Sequence, residues 1–412
     1  MKVIGIIAEY NPFHNGHFYH LLESRTHINP DAVVCVMSGH FTQRGEPALV
    51  NKWLRTEMAL RAGVDLVFEL PFAFAARSAS NFARGAVQLL ERTGIVTHLS
   101  FGSETGDLKP LQNIATILNL EPPRFQNSLH KFLREGLNYP TARSRALETF
   151  ISGNNSVHLN TRSILLNPNN ILAIEYLRAL DSEFPSAIPI TIKRLGAGYY
   201  ENGDQNLSSA TFIRSQLLDG KTPEQLQGLP DITVRLLLKS MVNSPSAVNS
   251  RLFEFIVLTL KRMNLDEIAR LCDVSEGLEN RIKSAIDHSY NLESLFNNIK
   301  TRRYSRTRLN RVLLYALLNF TQDKSRFFDN LGPQYLRLLG FSPQGQKILH
   351  KIKSKSCIPV ITKVGSLNRY SDATKEMLFF DVLASDIYSL MQPGPYYSGL
   401  DYLMPPVQIK PD

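Results

Sequence analysis

Two histidines stand three residues apart near the start of the chain, His14 and His17, with Gly16 directly before the second. An apolar run, Val3–Ile7, and the turn pair Asn11-Pro12 come before them, and an amphipathic stretch from Phe18 to Glu23 follows. This order reads as a buried strand, a tight turn and a helix start. A helix N-terminus offers unpaired N–H groups and a partial positive charge, so a phosphate settles there. Imidazoles beside it can donate to oxygens whose negative charge grows during displacement at phosphorus. Gly16 carries no Cβ and lets the backbone approach closely. Histidines near a surface turn are common, and it is the position at the first strand-to-helix turn that singles this pair out. A metal-ligand reading is weaker: no third ligand stands at metalloenzyme spacing, though Glu9, His20 and His40 could lie nearby.

A second candidate is Ser208-Ser209-Ala210-Thr211-Phe212-Ile213-Arg214. Hydroxyls at a helix start with an arginine one turn in make an anion site. An ordinary N-cap followed by a solvated arginine has the same sequence, and Lys193-Arg194 ahead of a glycine-containing loop carries the same ambiguity. A third candidate is the run Lys300, Arg302, Arg303, Arg306, Arg308 and Arg311, with no acid inside it and Tyr304 interleaved. Such a run either faces solvent or contacts nucleic acid, with Tyr304 available to stack on a base. Lys351, Lys353 and Lys355 form a smaller cluster.

The elements that must position these groups follow from periodicity. Val3–Ile7, Ala32–Met37, Leu66–Leu70 and Thr97–Phe101 are short and apolar, and the first three are each followed by turn chemistry and a helical pattern. Strands of that kind alternating with helices predict a parallel sheet covered on both faces. Right-handed crossovers place the C-terminal strand ends on one edge, where ligands of such sheets bind. His14, His17, Ser38-Gly39-His40 and Gly102 should therefore converge. Residues 111–185 read as helical, with Asn169 or Asn170 as N-cap of a helix running to Leu177. Ala187–Ile192 reads as a further strand, and Ser208 or Ser209 caps the next helix. From about 225 to 355 helical segments dominate, among them Arg251–Arg262, Thr307–Phe320 and Pro333–Leu339. Ile358–Ile361 reads as a strand and Asp372–Leu390 as a helix, and the placement of the tail stays open.

At 412 residues the chain exceeds one small core, so two or three domains are expected. A net charge of +9 leans toward polyanionic partners. Three scattered cysteines give neither a disulfide framework nor metal-knuckle spacing, which fits a reducing compartment. The N-terminal apolar run is too short for a signal peptide or a membrane span, so a cytoplasmic protein is expected.

His14-Asn15-Gly16-His17 and Ser208–Arg214 together resemble the nucleotidyltransferase superfamily. A narrower resemblance, to the bacterial tRNA(Met) cytidine acetate ligase family, rests on Glu9–His17, Phe101-Gly102-Ser103-Glu104, Asn169-Asn170-Ile171-Leu172 and Lys193–Tyr199. It runs the length of the chain, with its specific motifs in the first 215 residues, and no departure shows at the matched sites. It implies an α/β fold: a Rossmann-like, ATP-binding catalytic domain over 1–220, then a mainly helical, basic, tRNA-binding domain over 221–355. A C-terminal segment, 356–412, would pack on one of the two. It implies that acetate and ATP give acetyl-adenylate and pyrophosphate, and that the acetyl group then passes to the wobble cytidine N4 of elongator tRNA(Met). His14 and His17 would act on the α-phosphate. The stretch Ile7, Ala8, Glu9, Tyr10, Asn11, Pro12, Phe13, His14, Asn15, Gly16, His17, Phe18, Tyr19 and His20 would wrap the nucleotide. Gly102 and Asn170 would line the adenosine side, Arg194 and Leu195 would complete the site, and Ser209, Thr211 and Arg214 would hold the outer phosphates with Mg2+. Lys300, Arg302, Arg303, Arg306 and Arg308 would grip RNA. A small-molecule adenylyltransferase would use the same two motifs, but it needs no basic helical half.

Overall fold

The computed structural model describes the whole chain except residues 153–163, 196–207, 241–244, 366, 393–395 and 411–412. Its centre is a sheet whose five parallel strands are β1 (Val3–Ala8), β2 (Ala32–Ser38), β3 (Leu66–Leu70), β4 (His98–Ser103) and β5 (Ile188–Lys193), in the order β5-β4-β1-β2-β3. Every residue of β2 and β3 is buried, as continuous apolar strands in a doubly covered sheet should be. Alternate side chains serve opposite faces. Ile4, Ile6, Val33, Cys35 and Met37 pack with α1 (Asn15–Ile28) and α2 (Lys52–Arg61). Val34, Val36, Phe68 and Leu99 pack with α3 (Ala79–Glu91) and α4 (Pro168–Glu183) on the other face. Short crossovers leave the ends Ala8, Ser38, Leu70 and Ser103 along one edge.

The sheet does not stop at the parallel core. Residues 333–339, expected as a helix, instead enter β6 (Leu336–Phe341), which runs antiparallel to β3. Leu336, Leu338 and Leu339 are all buried, and a fully buried strand shows the same continuous apolar pattern as a helix turn. The flanking Gly332-Pro333 and Ser342-Pro343 are the boundaries that favour the strand. Two short strands, β7 (Val360–Ile361) and β8 (Val407–Gln408), pair with successive halves of β6. The tail thus returns to the sheet.

Residues 221–355 are mainly helical but do not stand apart. Helices α6 (Pro245–Arg262), α7 (Leu292–Ile299) and α8 (Arg306–Leu318) share one continuous hydrophobic cluster with the sheet, joined through Phe72, Tyr315, Phe320 and Phe328. A division at 220 and 355 therefore cuts through both sheet and core. At the far end, Lys52 Nζ is wholly buried and lies 2.8 Å from both Glu69 carboxylate oxygens and from Asp401 Oδ1. That ion cluster fastens the tail beneath β3, and its loss on one side would leave an uncompensated buried charge.

Candidate active site

The first strand-to-helix turn is built around the histidines themselves. His14 is the N-cap of α1, and its Nδ1 accepts the Gly16 N–H at 3.0 Å. The return bond of the capping box comes from His17, whose Nδ1 accepts the His14 N–H at 3.3 Å. Glutamate or glutamine normally fills that second place; here an imidazole does. With both Nδ1 atoms accepting, a neutral ring carries its proton on Nε2. The two rings stack with centroids 3.7 Å apart, and Tyr10 and Phe13 pack against His17 at 5.0 and 5.6 Å. The result is a stacked pair of rings, each with its Nε2–H left over as a donor. Gly16 has a nearer reason than backbone approach: a Cβ there would stand 2.9 Å from His14 Cε1 and push the ring aside.

Electrostatics keep these rings neutral. Burial, then the charges of Arg194 and Arg214, pull His14 down to about 3. Burial and the neighbouring His14, Arg194 and His20 hold His17 well below its ordinary value. His20 falls to about 4, for burial and Arg194. Arg194 extends its side chain across Gly102, where a Cβ would meet its Cγ at 3.1 Å. Arg214 Nη1 donates to Asn11 O at 2.8 Å, and its Nη2 lies 3.4 Å from Thr211 Oγ1. Ser209 is the cap of α5 (Ala210–Leu218), its hydroxyl accepting from Phe212 N at 3.2 Å. Two guanidiniums, a helix N-terminus and two neutral donors converge, an arrangement made for a polyphosphate.

The family description HIGH Nucleotidyl Transferase matches residues 1–400. A tRNA(Met) cytidine acetate ligase of Syntrophomonas wolfei is 44% identical over 416 residues, with 99% of each chain covered. One of Halothermothrix orenii is 40% identical, covering 99% of this chain and 100% of its own. Among solved structures, Thermotoga maritima TmcAL bound with alpha-thio ATP matches with a TM-score of 0.90 at 34% identity, 99% of each chain covered. The chain belongs to the tRNA(Met) cytidine acetate ligase family. No helix among its described residues is long and apolar enough to cross a membrane.

Within this ligase-family site the stretch Ile7–His20 divides in two. Tyr10 and Phe13 are core residues, 2% and 0% exposed. Asn11 is buried and its Oδ1 accepts from Leu49 N at 2.7 Å. His20 Nε2 is tied to Ser100 Oγ at 3.0 Å. Glu9, half-buried, receives Gln43 N on Oε1 at 2.6 Å, and burial raises its carboxyl despite Arg214, Arg55 and Arg44. These side chains shape the turn, while His14, His17 and the backbone around Gly16 remain to meet a ligand. Asn170 does not cap its helix; Asn167 occupies the cap position with Pro168 in the first turn. Asn170 is fully buried, and its Oδ1 takes Glu104 N at 2.8 Å and Thr105 N at 3.3 Å. Glu104 in turn accepts Asn170 N at 2.7 Å. The pair locks the loop after Gly102 in place. Leu195 follows Arg194 half-buried, two residues past β5, and the glycine-containing loop after it lies outside the described residues, as does Glu201–Asn206.

His40 does not join the histidine pair. It turns to the C-terminal helix Asp372–Met391, with Nδ1 3.0 Å from Ser385 Oγ and its ring stacked on Tyr388 at 4.4 Å. The residue that sequence reasoning missed is Arg55. Wholly buried on α2, it donates from Nη1 to Glu9 O at 2.6 Å and to Ser38 O at 3.2 Å, and from Nη2 to Gly39 O. It thus clamps the ends of β1 and β2 together, and burial lowers it to about 10. Its only sequence signal is an arginine on the apolar side of a short amphipathic helix.

The basic segment is partly neutralised by acids from elsewhere in the chain. Arg303 pairs with Glu276 at 3.4 Å and Arg306 with Glu293 at 2.6 Å. Arg308 donates to Asp273 O at 2.7 Å and lies over the Tyr304 ring. Tyr304 is 4% exposed and its hydroxyl donates to Ser275 O, so it cannot stack on a base as expected. Lys300 and Arg302 are exposed and form no side-chain hydrogen bond or ion pair among the described residues, although the charge of Lys300 acts on Glu293.

Proposed function

We propose that the protein activates acetate with ATP and transfers the acetyl group to N4 of the wobble cytidine of elongator tRNA(Met). In the first step an acetate oxygen bonds to the α-phosphorus and the bond to pyrophosphate breaks. In the second, N4 attacks the acetyl carbon of the mixed anhydride, loses a proton and releases AMP. His14 and His17 donate from Nε2 to the α-phosphate oxygens as charge develops there. Arg214, Thr211, Ser209 and the N–H groups opening α5 hold the outer phosphates, and Gly102, Arg194 and Leu195 form the adenosine side, with Asn170 holding the loop behind it. The observation that carries this reading is the stacked, neutral histidine pair with both Nδ1 atoms occupied: it places two donors at a helix N-terminus without adding protons that would have to be removed. A preorganised donor of this kind is worth roughly 2.7–4 kcal/mol, on the order of 10²–10³ in rate.

Among the described residues no group of three or more His, Cys, Asp or Glu is placed to hold a metal ion. A Mg2+ arriving with ATP would be held mainly by the phosphate oxygens and water, as is usual for this ion, and would offset their charge. Within the basic segment Lys300 and Arg302 form no ion pair among the described residues and are first to meet RNA phosphate, with Arg303, Arg306 and Arg308 contributing after their partners yield. A tRNA substrate, with three cysteines that give no disulfide framework, supports a cytoplasmic location.

The test is incubation with labelled acetate, ATP and bulk tRNA, with acetate-dependent ATP–pyrophosphate exchange measured in parallel. Label in tRNA as acetylcytidine is the expected result. Exchange that needs a phosphorylated small molecule in place of acetate would assign an adenylyltransferase instead.

A further inference from the structure

We propose that the cleft between the Thr42–Ala48 loop and helices α6, α7 and α8 seats the acceptor cytosine, with Glu46 taking a hydrogen bond from its N4 amine. This inference rests on the tRNA reading above. The cleft has a volume of about 210 Å3, enough for one nucleobase. Leu252, Phe296 and Leu313 give it apolar walls, and Glu46, Arg214 and Asn310 bring polar atoms to it. Apolar walls with few convergent polar groups describe a site for a flat ring with a polar edge.

The polar groups match cytosine. Its edge presents one amine donor, N4, beside two acceptors, N3 and O2. A carboxylate accepts from cytosine N4, whereas uracil would set a carbonyl oxygen against it. Glu46 Oε1 already receives Asn310 Nδ2 at 3.3 Å, which fixes the carboxylate and leaves Oε2 without a donor among the described residues. Arg214 supplies donors for the acceptor side. The loop carrying Glu46 is held from both ends. Its Gly45, at φ +77°, lies so close to α8 that a Cβ would stand 2.7 Å from Arg311 N. Toward its start Gln43 N is bonded to Glu9 Oε1, and just past its end Leu49 N is bonded to Asn11 Oδ1 at 2.7 Å.

The cleft also lies where transfer needs it. The loop leaves the C-terminal end of β2, on the same edge as the histidines. Arg214 lines the cleft and at the same time donates to Asn11 O, three residues before His14. One guanidinium thus borders both the α-phosphate site and the seat of the base. Lys300, Arg302 and Arg303, exposed on the chain leading into α8, lie close in sequence to Arg306 on the cleft wall.

The experiment uses full-length protein with acetate-dependent ATP–pyrophosphate exchange as one readout and tRNA acetylation as the other. Glu46→Gln should leave exchange within about two-fold and lower kcat/KM for tRNA by about 10- to 100-fold. Leu218→Trp, a change at a half-exposed wall residue that narrows the cleft, should have the same split effect. A tRNA transcript with uridine at the wobble position should compete poorly with the unaltered protein and better with Glu46→Gln. Unchanged acetylation in both variants would overturn the proposal. Parallel loss of exchange and acetylation would also overturn it, because the cleft would then serve the ATP step. If the unaltered protein performs exchange but labels no tRNA, the tRNA reading itself fails.

Discussion

Replacing His14 by asparagine and by alanine separates the two roles the structure gives this side chain. As N-cap it accepts the Gly16 N–H through Nδ1 at 3.0 Å, and as donor it presents Nε2–H. Asparagine is among the best N-caps, so its side-chain oxygen can take over the first role, while its short amide cannot reach where Nε2 stood. Alanine loses both. The cap is worth about 1 kcal/mol, within a range of about 0.5–2, and alanine also leaves a gap beside the stacked His17 ring. At pH 7, His14→Asn should therefore unfold in denaturant close to the unaltered protein, and His14→Ala at least about 1 kcal/mol below it. Both should lose acetate-dependent exchange by roughly 10²–10³. Acid adds a second signature. His14 is held at about 3 in the folded protein, below its unfolded value. Its contribution to stability is therefore complete above about pH 6.5 and is lost as pH falls toward 3. At pH 5.5 this loss is about 1.4 kcal/mol, and His14→Asn should lack that part of the acid sensitivity. An asparagine variant as unstable as the alanine one would refute the cap. One that kept turnover within a few-fold would refute the donor.

Four further outcomes follow from the same geometry. His17→Gln should keep the capping box, since glutamine is a normal partner there, yet lose exchange by roughly 10²–10³; a fall in ATP affinity with normal turnover would contradict a transition-state role. Arg55→Met should destabilise the fold by about 1–3 kcal/mol, because it leaves the buried carbonyls of Glu9, Ser38 and Gly39 without a donor; denaturation reads the loss, and an unchanged midpoint would remove Arg55 from the frame of the site. Lys300→Glu with Arg302→Glu should weaken tRNA binding with adenylate formation intact, and should lower the salt slope of binding by about 1 per phosphate contact removed. Arg303→Glu with Arg306→Glu should act in the same direction, and equal loss of exchange would mark that segment as structural.

How far the sequence carries depends on whether an interaction is local. The strand–turn–helix at Val3–Ile28 is legible because its period changes from a continuous apolar run to a helical face across one Asn-Pro turn, and the histidine pair sits on that change. Ser209 as cap and Arg214 one turn later are equally local. β6 reads as a helix because a short buried run has no period of its own, and its partner β3 lies some 270 residues earlier. The basic segment looks free of acids for a related reason: Asp273, Glu276 and Glu293 are distant in sequence but meet those arginines once the helices pack. Arg55 and Asn170 belong to the same class, since each serves backbone groups at or just past strand ends that only the folded sheet brings beside it.

The histidine pair joins stability to chemistry in a way that constrains both. A glutamate in the second cap position would satisfy the same N–H and complement the helix dipole, but it would set a negative charge where the triphosphate must lie. An imidazole accepts the same bond without that charge, and accepting it forces the proton onto the outward nitrogen. Burial, and after it the neighbouring charges, Arg194 for both rings and Arg214 for His14, then oppose a second proton. Protonating Nδ1 would break the cap, so the form that folds the turn is also the form that donates. A variant that restores the charge pattern of an ordinary capping box, His17→Glu, should therefore be stable and inactive, and its defect should reside in ATP binding, unlike that of His17→Gln. Equal ATP affinity in the two variants would show that the site tolerates a carboxylate beside the phosphates, and charge repulsion would no longer account for an imidazole in the second cap position.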